Sequence, residues 1–184
     1  MIDFDGNKYK TAIFNGITWT IENLRVTKYA NGDSILYAET DEEYVAAGST
    51  GEGVWCLNGN DTERTHSYGL LYNWYAVHRQ ASLSPFGWRI PTQSDWDRLA
   101  EYIDSLTAAE QDEKLKLFCG NFSGSRGING SFGGQDITAY WWRQMPELKA
   151  FSWGRKLGKT GRKLELIDGF QRFGFAVRCV KVDG

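Results

Sequence analysis

The sequence predicts an α+β domain. Three observations carry that prediction: a β-hairpin signal opens the chain, capped helical segments occupy its middle, and alternating apolar segments return in its last third. Strands at both ends of the chain are placed to pair with each other.

In YKTAIFNGITWTI, Asn15-Gly16 sits between two alternating runs and supplies the positive backbone angles of a two-residue turn. That register sets Phe14 opposite Ile17 and Ala12 opposite Trp19. Phe14, Ala12, Ile17, Trp19 and Ile21 then share a buried face, with Thr11, Thr18 and Thr20 on the other. Residues 28–69 are rich in Gly, Asn, Asp, Ser and Thr and read as long surface connections with room for one short helix. LLYNWYAV returns to core.

Within GWRIPTQSDWDRL, Pro91 disfavours helix at the residue before it, and Thr92 with Asp95 forms a capping pair, so a helix begins near residue 93. Trp96, Leu99, Ala100, Ile103 and Leu106 recur at helical spacing and make the stripe that lies on a sheet. TAAEQDEKLKLF reads as a second helix, capped by Thr107 and Glu110, and CGNFSGSRGINGSFGGQD as loop. TAYWW and KAFSWGRKL read as strands. RFGFAVRCVKV reads as a final strand with Phe173, Phe175, Val177 and Cys179 on one side.

Length and charge bound the function. The 184 residues suit one domain, 1–184, with long loops. A net charge of −2 does not point to nucleic acid. The opening MIDFDGNKYK carries acids where a secretion signal carries bases, and no apolar run is long enough to span a bilayer. A soluble, unexported chain is expected unless a leader precedes it. Three cysteines, Cys56, Cys119 and Cys179, lack C-x-x-C spacing, so neither a disulfide framework nor a zinc site is visible.

His66 and His78 have no serine or cysteine motif beside them and read as surface or packing residues. Calcium-dependent sugar binding needs clustered acid and amide ligands around a cis-proline, and Pro146, between Met145 and Glu147, has no such set. No cofactor is expected, although loop carboxylates such as Asp33, Asp41 and Asp61 leave room for a structural calcium ion. In GRKLGKTGRK, Gly154 and Gly158 stand one residue too close for a phosphate-binding loop. The basic cluster there reads either as a solvated hairpin that opposes edge aggregation or as an anion-facing patch.

The stretches DFDGNKYKTAIFNGITWTIENLRVTKYANGDSI, YGLLYNWYAV, GWRIPTQSDWDRL, YWW and GFAVRCVK occur in that order over nearly the whole chain. Together they resemble the Fibrobacter succinogenes major paralogous domain family. That family is similar to the C-type lectin-like superfamily, which implies small twisted antiparallel sheets, two helices, a long loop region and adjacent chain ends. The chain departs from the pattern where members read Cys-Pro and it has Ser84-Pro85. By the resemblance, that cysteine is the partner of Cys179, which is therefore expected to lack its bridge. A second departure is the stretch between Arg143 and Phe173, more basic and apolar than the Ser/Asn-rich family pattern. RIPTQSDWDRL also resembles the helix entry of formylglycine-generating enzymes, which depend on a close cysteine pair near the C-terminus. Only Cys179 lies there, so that oxidase site is not expected.

The expected function is therefore non-enzymatic recognition, with residues of about 143–172 displayed to a cell-surface glycan or protein receptor. The candidate ligand-binding residues are Arg143, Trp153, Arg155, Lys156, Lys159, Arg162, Phe170 and Arg172. Trp19, Trp88, Trp96, Thr92, Asp95 and Cys179 are assigned to structure, with Trp74 and one of Trp141 or Trp142. No nucleic acid and no membrane insertion are expected. The setting is read as the virion surface of a phage infecting Bacteroidota, among other virion subunits and with C-terminal strands open to retroelement diversification. The alternative is a secreted or lipid-anchored surface protein of such a bacterium.

Overall fold

Asn15 and Gly16 take φ of 45° and 80°, the positive pair that a two-residue hairpin turn requires. The computed structural model describes residues 1–145 and 151–182, the side chains of residues 151–153 excepted. Its elements run β1 (Thr11–Phe14), β2 (Ile17–Thr20), β3 (Leu36–Tyr37), α1 (Asp41–Thr50), β4 (Val54–Cys56), α2 (Thr65–Tyr68), β5 (Leu71–Tyr72) and α3 (Trp74–Val77). They continue with β6 (Trp88–Arg89), α4 (Gln93–Asp104), α5 (Ala108–Phe118), β7 (Ser125–Arg126), β8 (Phe132–Gly133), β9 (Thr138–Trp142), β10 (Phe151–Gly158), β11 (Glu165–Phe170) and β12 (Val180–Lys181). The mixture of small, mostly antiparallel sheets and few helices is α+β.

The first sheet has the order β1-β2-β12-β6. Phe14 pairs with Ile17 and Ala12 with Trp19, the register that the turn dictates. Phe14, Ile17 and Trp19 are buried, whereas Ile13 on the opposite face is 71% exposed. The last strand enters beside the second: Cys179 N–H donates to Thr20 Oγ1 and Thr20 N–H donates to the Cys179 carbonyl. The expected pairing of the first and last strands is present.

α4 starts at Gln93, and its capping box is complete, with Thr92 Oγ1 accepting from Asp95 N–H and the Asp95 carboxylate accepting from Thr92 N–H. Without it, two N–H groups of the first turn would lack partners. α5 carries the same device at Thr107 and Glu110. α4 buries Trp96, Leu99 and Ile103. Trp96 meets Trp19 at 4.8 Å, Trp141 at 5.8 Å and Phe118 at 5.9 Å between ring centroids. Such aromatic pairs contribute about 0.5–1.5 kcal/mol each beyond their buried area. This aromatic group centres one core, and Tyr72, Trp74, Trp142, Phe175 and Val177 belong to a second.

Several local expectations are corrected. Only one of Trp141 and Trp142 was assigned to packing, yet both are fully buried, because β9 has one core on each side. For the same reason, residues 174–180 are all buried, where an alternating strand was expected. Phe175, Val177 and Cys179 face one core, Ala176 and Val180 the other, and regular strand is confined to Val180–Lys181. Residues 28–69 hold four short elements besides the ten-residue α1, namely β3, β4, a 3-10 turn at Asn58–Asn60 and α2, and Tyr29, Ile35 and Tyr44 are core.

The glycine-rich stretch read as loop folds into the small β7–β8 hairpin around Arg126, a fully buried side chain. The Arg126 guanidinium pairs with Asp41 at 2.9 Å, donates to the Ala38 and Gly130 carbonyls, and lies between the rings of Tyr44 and Phe132. One arginine thus fastens the glycine-rich loop to the start of α1.

Candidate functional site

The second sheet has the order β11-β10-β9, which leaves β11 at its edge. β10 and β11 form a hairpin in which Lys156 opposes Glu165 and Phe151 opposes Phe170. Lys159, Arg162 and Lys163 are exposed at its tip, and like charges at an edge discourage further strand pairing. Arg162 donates to both carboxylate oxygens of Asp112 at 2.6 and 2.9 Å, which ties the tip to α5. Lys156 pairs with Glu165 across the hairpin at 3.0 Å.

At the far end of β11 four aromatic rings stack in series. Phe170 lies on Phe173 with centroids 6.1 Å apart, Phe173 on Phe175 at 5.6 Å, and Phe175 on Tyr140 at 5.3 Å, all within 21° of parallel. Phe175 is buried, Tyr140 and Phe173 are half-buried, and Phe170 is 45% exposed, so the stack leads from Phe175 in the core through Phe173 to solvent at Phe170. The stem of half-buried Arg172 passes along α1 at Gly48, where a Cβ would sit 3.1 Å from its Cγ and Cδ. Glycine at 48 is what lets that stem close in. An exposed aromatic ring can stack on apolar or sugar C–H surfaces, and a guanidinium can bind oxygen.

The expected ligand residues are therefore divided. Lys156, Lys159 and Arg162 lie on the hairpin, Phe170 belongs to the ring stack, and Arg172 packs along α1 at Gly48. Arg143 is half-buried and lines a separate shallow cleft with Thr92, Gln93, Ser94 and Gln144. Burial and the neighbouring Arg155 charge hold its pKa below the usual arginine value. Arg155 is corrected from exposed contact to buried strut. It is 4% exposed, donates to the Leu164 carbonyl at 3.0 Å, and pairs with Asp97 of α4. The Trp153 side chain and Pro146 lie outside the described residues.

The residues assigned to structure are also on view. Trp19 and Trp96 are fully buried, and Trp88 is half-buried in β6 opposite Lys181. His78 stacks on Trp74 at 4.1 Å, and its Nε2 accepts from Met145 N–H, whereas His66 is exposed. Cys56, Cys119 and Cys179 are free thiols, all buried. Burial pushes the Cys56 and Cys119 thiols up to about 11, far from the thiolate a reactive cysteine needs. Among the described residues, no group of three His, Cys, Asp or Glu side chains is placed to hold a metal ion, and no helix is long and apolar enough to cross a membrane.

The ring stack was visible in the sequence as a list of aromatics but not as an arrangement. Its order depends on Tyr140 and Phe175 meeting across two chain segments. Arg126 and Arg178, both buried, carried no local signal.

No curated protein and no solved structure matches the chain. The model of the Fibrobacter succinogenes major domain matches residues 14–118, from the hairpin turn to the end of α5. The β10–β11 hairpin and the ring stack follow that match. The hairpin turn, β2, the capped α4 and the tryptophans between them fall within it, and the chain belongs to the Fibrobacter succinogenes major domain family.

Proposed function

We propose that the domain is a non-enzymatic recognition module of C-type lectin-like fold, binding a cell-surface glycan or protein receptor through the outer end of β11. The observation that carries this reading is the ring stack, in which Phe170 stands 45% exposed, with half-buried Arg172 two positions later in the chain. Stacked rings braced against a core present a rigid apolar face at small entropic cost on binding. Aromatic residues and arginine also supply a disproportionate share of interface energy. The fold assignment draws support from the pairing of first and last strands and from the two consecutive capped helices packed near them. The basic hairpin tip adds an attraction for acidic partners.

The test is binding of the purified domain to a glycan array and to receptor-bearing cells, beside a Phe170→Ala/Arg172→Ala double variant whose fold is checked by circular dichroism. Binding that falls at least tenfold in the folded variant supports the reading. Binding that is unchanged overturns the assignment of the site.

A further inference from the structure

Three arginines are almost completely buried: Arg126, Arg155 and Arg178, at 0%, 4% and 2% exposure. The first two each have a carboxylate partner, Asp41 and Asp97. Arg178 has none within ion-pair distance among the described residues. Its Nη1 donates to the Thr20 carbonyl at 3.1 Å and its Nη2 to the Phe118 carbonyl at 2.9 Å, while its Nε–H has no acceptor among the described residues. The faces of the guanidinium are covered by the rings of Phe118 and Trp141. A buried cation whose direct partners are carbonyls is costly, because the more distant Glu22 charge does not outweigh its desolvation.

Arg178 also lines a cleft of about 280 Å³ between the end of β2 and the C-terminus of α5. Lys10, Glu22, His66 and Asn121 line it as well. Glu22 is turned to the rim, where its Oε2 accepts from Lys10 N–H at 2.7 Å. The two cations and one carboxylate leave the cleft with one net positive charge. That balance favours a monoanion over a doubly charged phosphate, which Glu22 would repel. We propose that this cleft is a binding site for a small carboxylate ligand, whose carboxylate pairs with the Arg178 guanidinium. The side-on Nε–Nη edge matches the two oxygens of a carboxylate. Nε has no solvent contact, so entry moves side chains at the rim, where Lys10, His66 and Asn121 are exposed. The site is separate from the β11 ring stack and does not depend on it.

The Arg178 Nε–H proton reports directly on occupancy. The full chain, labelled with ¹⁵N, is titrated with sodium glucuronate, with glycine and with sodium chloride at matched ionic strength, following that resonance and the Glu22 and Asn121 amides. A saturable downfield shift with glucuronate alone identifies an acidic sugar as the ligand class. The same shift with glycine alone identifies an amino acid, and a shift with both identifies a carboxylate subsite common to the two. No shift, or an equal shift with chloride, overturns the proposal. Removing Arg178 would also delete two bonds to buried carbonyls, so the variant of choice is Lys10→Glu at the exposed rim. It is expected to weaken carboxylate binding roughly three- to tenfold. Unaltered affinity in that variant also overturns the proposal.

Discussion

Arg155 was expected at the surface and is instead a buried strut, which makes its ion pair with Asp97 a sharp test of the packing described above. Removing one member of a fully buried ion pair costs about 3–5 kcal/mol, because the other charge is stranded. Asp97 is 44% exposed in its side chain while Arg155 is 5% exposed, so water reaches one edge of the pair and lowers that cost to about 2 kcal/mol. Alanine is the better helix former, which returns about 0.5 kcal/mol at position 97. Asp97→Ala is therefore expected to lose about 1.5 kcal/mol, equivalent to about 3–6 °C in Tm for a chain of this length. Arg155→Met removes the buried charge and keeps the stem, leaving the Leu164 carbonyl to find a new donor and the 44% exposed Asp97 to water and Gln93, and is expected to cost about 1 kcal/mol or less. Urea unfolding of both variants measures the order. A larger loss in Arg155→Met than in Asp97→Ala would refute the reasoning, as would a loss of receptor binding in a folded Arg155→Met variant.

Burial alone would raise the pKa of Asp95, but hydrogen bonds from Arg89 and Thr92 outweigh it and hold the carboxyl below its ordinary value of 3.8. With the folded value depressed, the contribution is complete above the unfolded-chain value of about 3.9 and is lost as pH falls through the folded one. Urea midpoints measured from pH 6 down to pH 3 should decline less steeply in Asp95→Asn than in the parent below about pH 4. At Gly53 a Cβ would lie 2.8 Å from the Ala76 Cα and 2.8 Å from the Tyr29 hydroxyl. Gly53→Ala should accordingly destabilise by about 2 kcal/mol or more in the same assay. The three buried thiols should resist Ellman's reagent in the native protein and react together once urea unfolds it; rapid native labelling of any of them would contradict the packing.

What the sequence disclosed was local. The Asn15-Gly16 turn and the capping pairs at Thr92 and Thr107 each depend on residues within three positions of one another, and each is present. Features closed over long separations were missed. Arg126 finds Asp41 across 85 positions and Arg178 finds Thr20 across 158, and no periodicity announces either. In residues 28–69 the buried members, such as Tyr29, Ile35, Ala38 and Tyr44, follow no sustained helical or strand period, so the stretch reads as surface. α1 buries only Tyr44, Ala47 and Gly48, too few to make a helical stripe.

At the candidate site the exposure of Phe170 agreed with its reading, while Arg155 was misplaced by the weight of the basic run around it. A signal for its burial existed. Arg155 alternates with Leu157 on one face of β10, and Leu157 is core. The period-two pattern was the better guide than the charge, because strand geometry fixes the direction of a side chain before its chemistry is consulted.

The insertion of β12 between β2 and β6 has a consequence in time. Thr20 and Cys179, joined by a hydrogen bond, are 159 residues apart. Ribosomes add about 5–20 residues per second, so the second strand waits about 8–32 s for its neighbour to be made. A lone two-stranded hairpin is at best marginally stable in water, and this one carries Phe14, Ile17 and Trp19 on a face that stays open until α4 and α5 bring Trp96 and Phe118, and with an open edge until β12 arrives. The yield of soluble protein during synthesis should therefore be governed by how that early aromatic face is sheltered in the interval, and by the speed of translation, more than by the stability of the finished domain.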